Sequence, residues 1–444
     1  MLTLVGVVII VTIVALLLTE KVSPVISLVM IPLVGALIAG FSPTDITGFY
    51  ISGIGSVMQV ATMFIFAILF FGVMNDVGLF DPLIRAMIRV TRGNVIAVAV
   101  GTVLISAVAQ LDGAGASTFL LVVPPLLPLY QRLKMSPYLL FLLLAASAGI
   151  VNILPWGGPL GRVASVLEMD PVVLWRELIV VQVIGLAMML ALAFFLGLRE
   201  QRRIRSRDEA VDQTAQVPDV ASESSLQGDA NAADQMRAQL LRPKLRWVNA
   251  AVFMLTLVVL VMGLFPPGYT FMIALCVALV INYPKPKMQI ERINAHAGGA
   301  IMMASIILAA GAFLGILKES GMLNNIAISL AGFLPSVLLP YMHLIIGAIG
   351  IPLELLLSTD AYYFALFPVV EQITSQAGVA PTSAGYAMII GSIVGTFVSP
   401  FSPALWMGLG LAKLSMGKHI RYSFFWVWVL SLCLMVCAWL LGLL

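Results

Sequence analysis

Two apolar segments of membrane-spanning length, one in each half of the chain, are interrupted by polar residues. The first interruption, residues 110–118, reads Gln-Leu-Asp-Gly-Ala-Gly-Ala-Ser-Thr, and the second, residues 357–360, reads Leu-Ser-Thr-Asp. A carboxylate and irregular backbone at bilayer depth are costly unless protein or a water-filled cavity surrounds them. Their occurrence at matching places in both halves indicates one central binding site, as in secondary transporters.

The composition places the chain in a membrane. Of its 444 residues, 61% are hydrophobic and 10% are charged, whereas soluble domains carry about 25% charged residues. The sequence contains no G-x-x-x-x-G-K-[ST] motif, which excludes ATP hydrolysis by a P-loop mechanism. We therefore predict a polytopic membrane protein that is driven by an ion gradient and has no nucleic-acid partner.

A polar segment, residues 199–246, separates two apolar halves, residues 1–198 and 247–444. The segment starts with a basic run and continues with Ala, Ser, Asp and Gln. It has too little apolar surface to fold alone, so we predict a disordered linker.

Each half shows the same order of apolar spans. The predicted spans are 2–19, 23–40, 57–76, 137–168 and 178–198 in the first half and 247–264, 269–283, 298–317, 382–416 and 423–443 in the second. Between the third and fourth spans lies an apolar stretch with a polar middle, residues 95–131 and 341–376. The two arms of each stretch have about 15 residues, fewer than the roughly 20 that cross a bilayer. We therefore predict a re-entrant hairpin in each half.

The basic residues predict the orientation. About five crossings per half give the halves opposite orientations, which defines an inverted repeat. With the linker in the cytoplasm, all Lys and Arg except Arg162, Arg176 and Lys318 lie on cytoplasmic segments, in agreement with the positive-inside rule. The predicted fold is an all-α polytopic membrane protein of two inverted repeats, each with one re-entrant hairpin. It lies in the bacterial cytoplasmic (inner) membrane with both termini outside.

Proline and glycine interrupt the fourth span of each half. Residues 152–159 read Asn-Ile-Leu-Pro-Trp-Gly-Gly-Pro and precede Arg162, and residues 399–403 read Ser-Pro-Phe-Ser-Pro. Proline ends a helix because it lacks the N–H donor and clashes with the preceding turn. We therefore predict discontinuous helices, whose free N-termini suit a carboxylate and whose free carbonyls suit a cation.

The charged residues in these segments are the strongest site candidates. Asp112 and Asp360 suit a substrate, metal or proton role, although each also suits a helix cap. Arg162 suits bidentate binding of a carboxylate or neutralisation of Asp112, and Glu354 suits proton transfer. The predicted substrate-binding residues are Asp112, Gly113, Gly115, Ser117, Thr118, Asn152, Pro155, Trp156, Gly157, Gly158, Arg162, Ser358, Thr359, Asp360, Ser399 and Ser402.

Three of these motifs together resemble a known family. Residues 111–118, residues 127–133 (Leu-Pro-Leu-Tyr-Gln-Arg-Leu) and residues 152–159 with Arg162 are similar to the citrate–metal–proton symporter family, CitMHS, of the ion transporter superfamily. The resemblance covers essentially the whole chain and is most specific in the first half. It implies import of citrate complexed to a divalent cation such as Mg²⁺ or Ca²⁺, driven by protons. It also implies a homodimer with a scaffold domain and an elevator-type transport domain that holds both hairpins.

The resemblance gives the candidate carboxylates more definite roles. It makes Asp112, Asp360 and Glu354 candidates for proton coupling, and Asp112 and Asp360 candidates for contact with the citrate-bound metal. Mg²⁺ or Ca²⁺ is then a co-substrate, and neither a resident cofactor nor a metal site independent of the substrate is predicted. A tricarboxylate with a divalent metal is roughly monoanionic, so its desolvation costs less than that of the free trianion.

Other functions agree with parts of the pattern. A proton- or sodium-coupled transporter of another dicarboxylate, tricarboxylate or sugar acid is the nearest alternative, because Ser117-Thr118 and Ser358-Thr359 with nearby carbonyls suit Na⁺. A channel and an intramembrane protease are less favoured. The residues that flank Asp112 and Asp360 lack the Tyr-Asp and Gly-x-Gly-Asp motifs of aspartyl proteases, and we do not predict an enzyme.

Overall fold

The computed structural model describes residues 2–18, 22–79, 82, 94–113, 115–212, 240–333, 335 and 337–444. Within these ranges the chain forms helices and no strand, which confirms the all-α class. Helices satisfy their backbone hydrogen bonds internally, as a chain in lipid requires.

The described helices are distributed over both halves of the chain. In the first half they are α1 (Leu2–Leu18), α2 (Pro24–Ile38), α3 (Pro43–Asp76), α4 (Val95–Ala109), α5 (Gly115–Arg132), α6 (Pro137–Val151), α7 (Gly158–Leu167) and α8 (Pro171–Asp212). In the second half they are α9 (Arg246–Met262), α10 (Pro267–Asn282), α11 (Pro286–Glu319), α12 (Met322–Phe333), α13 (Met342–Ala348), α14 (Gly350–Leu356), α15 (Phe367–Gln376), α16 (Pro381–Ser392), α17 (Pro403–Leu411) and α18 (Met416–Leu440). The interrupted segments also contain short 3-10 turns at Gln110–Asp112 and Ile393–Gly395 and a π-helix at Ala361–Leu366.

Several helices have the length and composition of membrane spans. Among the described residues, six pass both criteria: Pro43–Asp76, Val95–Asp112, Pro171–Ser206, Pro243–Leu260, Pro286–Glu319 and Met416–Leu440. The first arm of the first predicted hairpin is therefore long enough to cross a bilayer, whereas we predicted two short arms. In the second hairpin, the segment Leu339–Ala348 and α14 are bent by 64° relative to each other.

Helices α3 and α11, with 34 residues each, pack against each other at small residues. A Cβ added at Gly315 lies 2.2 Å from the Phe49 carbonyl oxygen, and one added at Gly53 lies 2.1 Å from the Gly311 carbonyl oxygen. Backbones approach this closely only where side chains are absent. Gly311 and Gly315 therefore make the close helix contact that is typical of two small residues four positions apart.

The helices that carry the proline breaks lie in the interior. In α6 every residue from Leu139 to Val151 is buried, and in α16 every residue from Ala384 to Ser392 is buried. The chain leaves α6 at Val151 and becomes helical again at Gly158, and it leaves α16 at Ser392 and begins α17 at Pro403. Both breaks are thus enclosed by protein, which satisfies the requirement for irregular backbone at bilayer depth.

The linker begins later than we predicted. Helix α8 continues to Asp212, so residues 199–212 are helical rather than disordered. Glu200 explains part of this extension, because its buried carboxylate accepts hydrogen bonds from Ser136 N at 2.5 Å and Arg203 Nη2 at 2.6 Å. At the other end, Arg242 donates to the Asn282 carbonyl oxygen. Residues 213–239 of the predicted linker lie outside the described residues.

The α3–α11 contact yields a stability prediction. We expect Gly315→Ala to destabilise the protein by about 1–3 kcal/mol, the range for overpacking, because the added methyl group meets backbone atoms that cannot rotate away. The control is Gly298→Ala on the same helix, where an added Cβ has no neighbour within 4 Å. Thermal unfolding of the purified protein in detergent measures both. Equal melting temperatures for the two variants would show that the glycines do not set this contact.

Candidate functional site

A cavity of about 730 Å³ lies where the interrupted segments of both halves meet. This volume falls within the range of about 300–1,000 Å³ that is usual for small-molecule sites. Its first-half lining residues are Val22, Ser23, Pro24, Gly113, Gly115, Asn152, Gly158, Pro159 and Arg162. Its second-half lining residues are Met303, Ser358, Thr359, Asp360, Thr396, Phe397, Phe401, Ser402, Pro403 and Ala404.

A buried ion pair joins the two halves at the cavity wall. Arg162 Nε and Nη2 each lie 2.7 Å from Asp360 Oδ1. Arg162 is 8% exposed and Asp360 is 9% exposed, so both charges are largely withdrawn from solvent. Arg162 therefore pairs with Asp360, and not with Asp112 as the second of our two interpretations, neutralisation of Asp112, would require.

The break after α6 holds the turn of the first interruption. Trp156 Nε1 donates a hydrogen bond to the Leu111 carbonyl oxygen at 2.9 Å. Gly113 has a φ of +73°, and a Cβ at this position would lie 2.9 Å from Trp156 Cδ1. Both the backbone conformation and the close approach thus favour glycine. These contacts fix the turn against the break.

A chain of side-chain hydrogen bonds connects the same two segments. Thr118 Oγ1 donates to Gln110 Oε1 at 2.6 Å, and Gln110 Nε2 donates to Asn152 Oδ1 at 3.4 Å. Gln110 is fully buried. Our site prediction omitted Gln110, although it is the first polar residue of the interruption.

Asp112 does not line the cavity. It is the last residue of the 3-10 turn, and its carboxylate accepts a hydrogen bond from the Ser117 hydroxyl. This hydrogen bond joins two residues of the first interruption, residues 110–118. The carboxylate is 7% exposed, so it stays enclosed by protein.

The second break makes equivalent local contacts. Ser399 Oγ donates to the Glu354 carbonyl oxygen at 2.6 Å and accepts from Phe401 N at 3.2 Å. Ser402 caps α17 by accepting from Leu405 N. Ser402, Pro403 and Ala404, at the start of α17, line the cavity.

Glu354 is a fully buried carboxyl group beside the ion pair. Its charge interacts with those of Arg162 and Asp360. The Thr359 hydroxyl faces the carboxyl group, but neither carboxyl oxygen of Glu354 reaches hydrogen-bonding geometry with any described residue. Burying an ionised carboxylate without hydrogen-bond partners costs free energy, and this cost is avoided when the group carries a proton.

The last helix of each half places a polar side chain against backbone carbonyls next to the breaks. On α8, Gln182 Nε2 donates to the Ile150 and Val151 carbonyl oxygens at 3.2 and 3.1 Å. On α18, Ser431 Oγ lies 3.0 and 2.7 Å from the Ile390 and Gly391 carbonyl oxygens. We did not predict either residue, because a single polar residue within an apolar span gives no sign of its partner.

The predicted site residues fall into two groups. Those that line the cavity are Gly113, Gly115, Asn152, Gly158, Arg162, Ser358, Thr359, Asp360 and Ser402. Those that lie behind its wall are Asp112, Ser117, Thr118, Pro155, Trp156, Gly157, Glu354 and Ser399. The structure adds lining residues that we did not predict: Val22, Ser23, Pro24, Pro159, Met303, Thr396, Phe397, Phe401, Pro403 and Ala404.

Comparison with known proteins identifies the family. The family model described as citrate transporter, CitMHS, matches residues 1–391. The chain belongs to the CitMHS citrate transporter family. A membrane transporter without enzymatic activity agrees with this family and with the apolar helices of the fold.

Two CitMHS relatives from Bacillus subtilis (strain 168) match over the full length. The protein named "Citrate transporter" is 33% identical over 442 residues, which cover 100% of this chain and 99% of the relative. The "Mg(2+)/citrate complex secondary transporter" is also 33% identical over 442 residues, with the same coverage. The fold is similar to the crystal structure of the Alcanivorax borkumensis YdaH transporter, with a TM-score of 0.54, 15% identity, and 89% of this chain and 88% of that chain covered.

The carbonyl contacts of α8 yield a second prediction. Gln182→Leu removes the side-chain donor to the Ile150 and Val151 carbonyl oxygens, which keep only their backbone donors Ile153 N and Leu154 N. It also leaves Trp175 Nε1 without its acceptor, so we expect a loss of about 1–2 kcal/mol in the free energy of unfolding. The exposed Gln201→Leu on the same helix is the control. Thermal unfolding in detergent compares them, and a Gln182→Leu protein as stable as the control would mean that the carbonyls do not need Gln182.

Proposed function

We propose that the protein is a secondary active symporter that imports citrate as a complex with a divalent metal ion such as Mg²⁺ or Ca²⁺, driven by the proton gradient. The family is that of citrate transporters, and one relative is named for the Mg²⁺–citrate complex. The co-substrate metal enters with citrate and leaves with it.

The observation that carries this proposal is the Arg162–Asp360 pair at the cavity wall. A metal–citrate complex presents both carboxylate oxygens and a cation. Arg162 suits the carboxylates, since guanidinium groups bind them through directed hydrogen bonds. Asp360 suits the metal side, since hard divalent cations prefer oxygen ligands. A site with one charge of each sign therefore complements the complex better than it complements free citrate.

The helix N-termini add to the attraction for carboxylates. Helices α7 and α17 both begin at the cavity, at Gly158 and Pro403. Their first N–H groups have no partner inside the helix and carry a partial positive charge. We propose that these two N-termini hold citrate carboxylates that Arg162 does not reach.

Proton coupling is assigned to the carboxyl groups at and behind the cavity wall. When a citrate carboxylate binds Arg162, Asp360 loses its counter-charge and becomes a better proton or metal acceptor. Glu354 interacts with the charges of both members of the pair, so the state of the pair alters how readily Glu354 holds a proton. Asp112, which accepts from Ser117, is a third candidate. Substrate occupancy and protonation are thereby linked.

The architecture that we propose for transport consists of two inverted repeats, residues 1–198 and 247–444, joined by the linker. The roles of Gln182 and Ser431, each on the last helix of its half, support such a repeat. An elevator-type transport domain holds both hairpins and both breaks, and a scaffold domain forms a homodimer. We place the protein in the bacterial inner membrane with the linker in the cytoplasm and both termini outside.

Uptake into proteoliposomes tests this function. We expect radiolabelled citrate to accumulate only when Mg²⁺ or Ca²⁺ is present and an inward proton gradient is imposed, with no requirement for Na⁺. Accumulation that depends on Na⁺ and not on protons would favour the sodium-coupled alternative. Uptake of citrate without any divalent ion would remove the metal complex as the substrate.

The ion pair yields a prediction for binding. Arg162→Gln removes the group that donates hydrogen bonds to the substrate carboxylate. It also leaves the buried Asp360 charge without a partner, and breaking a buried ion pair in this way destabilises a protein by about 3–5 kcal/mol. We therefore expect uptake to fall by at least about 100-fold. Arg176→Gln, remote from the cavity lining, is the control. Wild-type uptake by Arg162→Gln in vesicles that contain equal amounts of protein would exclude Arg162 from the site.

Glu354 yields a prediction for coupling. Glu354→Gln keeps the shape of the side chain but cannot exchange a proton, so we expect proton-driven accumulation to be lost while exchange of internal for external citrate continues. Glu371→Gln on α15 is the control, since Glu371 binds Ser375 away from the cavity. Accumulation and exchange are measured in the same vesicles. Full proton-driven accumulation by Glu354→Gln would rule out Glu354 as a coupling residue.

A further inference from the structure

Thr396 differs from the other buried threonines of the described chain. Its hydroxyl has no hydrogen-bond partner. The others donate to carbonyl or amide oxygens and are Thr102, Thr118, Thr256, Thr270 and Thr374. Because buried polar groups are normally hydrogen-bonded, this exception among the buried threonines calls for a specific reason.

The break after α16 deprives Thr396 of the partner that a helical threonine uses. Thr256 and Thr374 each donate to the carbonyl oxygen four residues earlier, which is the usual local solution. Thr396 directly follows the 3-10 turn Ile393–Gly395, and its own N–H bonds to the Ile393 carbonyl oxygen at 3.3 Å. The regular ladder has ended at this point, and the hydroxyl is left without a backbone acceptor.

The same residue lines the cavity. Thr396 is 8% exposed, while its hydroxyl oxygen is shielded from solvent. The exposed part of the residue is therefore not the oxygen. One staggered rotation about the Cα–Cβ bond moves the hydroxyl to the position that the methyl group occupied. This rotation breaks no hydrogen bond within the protein, since the hydroxyl makes none.

We propose that Thr396 is a substrate-contacting residue, whose hydroxyl turns into the occupied cavity and donates a hydrogen bond to a carboxylate oxygen of the substrate. The inference rests on the proposed function and extends it to a residue of the second break. Its neighbours on this wall, Phe397 and Phe401, have no polar side-chain atoms. The Ser402 oxygen accepts from Leu405 N, so the Ser402 O–H is a second donor on this wall. Thr396 thus supplies from the second half what Arg162 supplies from the first, so that a polycarboxylate is held from both sides.

Two substitutions at Thr396 test the contact. Thr396→Val removes the hydroxyl and preserves the shape, so we expect the KM for citrate uptake with Mg²⁺ to rise about tenfold while the maximal rate stays within about twofold. Thr396→Ser retains the hydroxyl and is expected to keep the wild-type KM. The control Thr374→Val removes a hydroxyl that is bonded within α15 and is expected to leave the KM unchanged.

Thermal unfolding separates a substrate contact from a structural role. We expect Thr396→Val to be as stable as the wild type or more stable, because it removes an unpartnered buried hydroxyl, whereas Thr374→Val is expected to lose stability. A wild-type KM in Thr396→Val, or an equal rise of KM in Thr396→Ser with lowered stability in both variants, overturns the inference. Wild-type protein that takes up no citrate in the same vesicles overturns the proposed function together with it, so the two failures are distinct.

Discussion

The Arg162–Asp360 ion pair is the interaction on which the central site depends. Withdrawing two charges from water carries a penalty of several kcal/mol per ion, which only good geometry and further hydrogen bonds offset. Two guanidinium nitrogens at 2.7 Å from one carboxylate oxygen supply part of that compensation. The partners come from different halves of the chain, so the pair also joins the halves at the cavity. An anion that enters must compete with Asp360 for Arg162, which makes occupancy of the cavity and the state of the pair inseparable.

The helix breaks make this arrangement possible without leaving backbone groups unsatisfied. A Cβ at Gly158 would lie 2.7 Å from Arg162 Nη1, so glycine at the start of α7 leaves room for the guanidinium. The carbonyls freed by the breaks are bound by Gln182 and Ser431 from the last helix of each half. The first residues of α7 and α17 line the cavity. The same local irregularity thus provides both the space and the charge for a carboxylate ligand.

The sequence predicts which segments form the site better than it predicts which side chains contact each other within it. Proline and glycine cluster at residues 152–159 and 399–403, so local chemistry favours the breaks. Helices α2 and α5 nevertheless continue through interior prolines. The partner of Arg162 depends on how the two halves pack, and the apolar pattern is the same whether Asp112 or Asp360 lies beside it. The role that we propose for Thr396 could not be predicted either. It rests on the absence of a hydrogen-bond acceptor for its hydroxyl, and this absence depends on how the chain folds around the second break. The extension of α8 into the predicted linker reflects the burial of Glu200 against a neighbouring loop, which composition alone does not indicate.

The central claim is that the cavity between the two breaks is the single substrate site and that Arg162 binds the substrate. Determination of the structure by electron cryo-microscopy with citrate and Mg²⁺ tests this claim most directly. We predict density for citrate within the cavity, with a carboxylate group in hydrogen-bonding contact with the Arg162 guanidinium. Citrate bound elsewhere, with the Arg162–Asp360 pair unchanged and the cavity filled only by water, would contradict it.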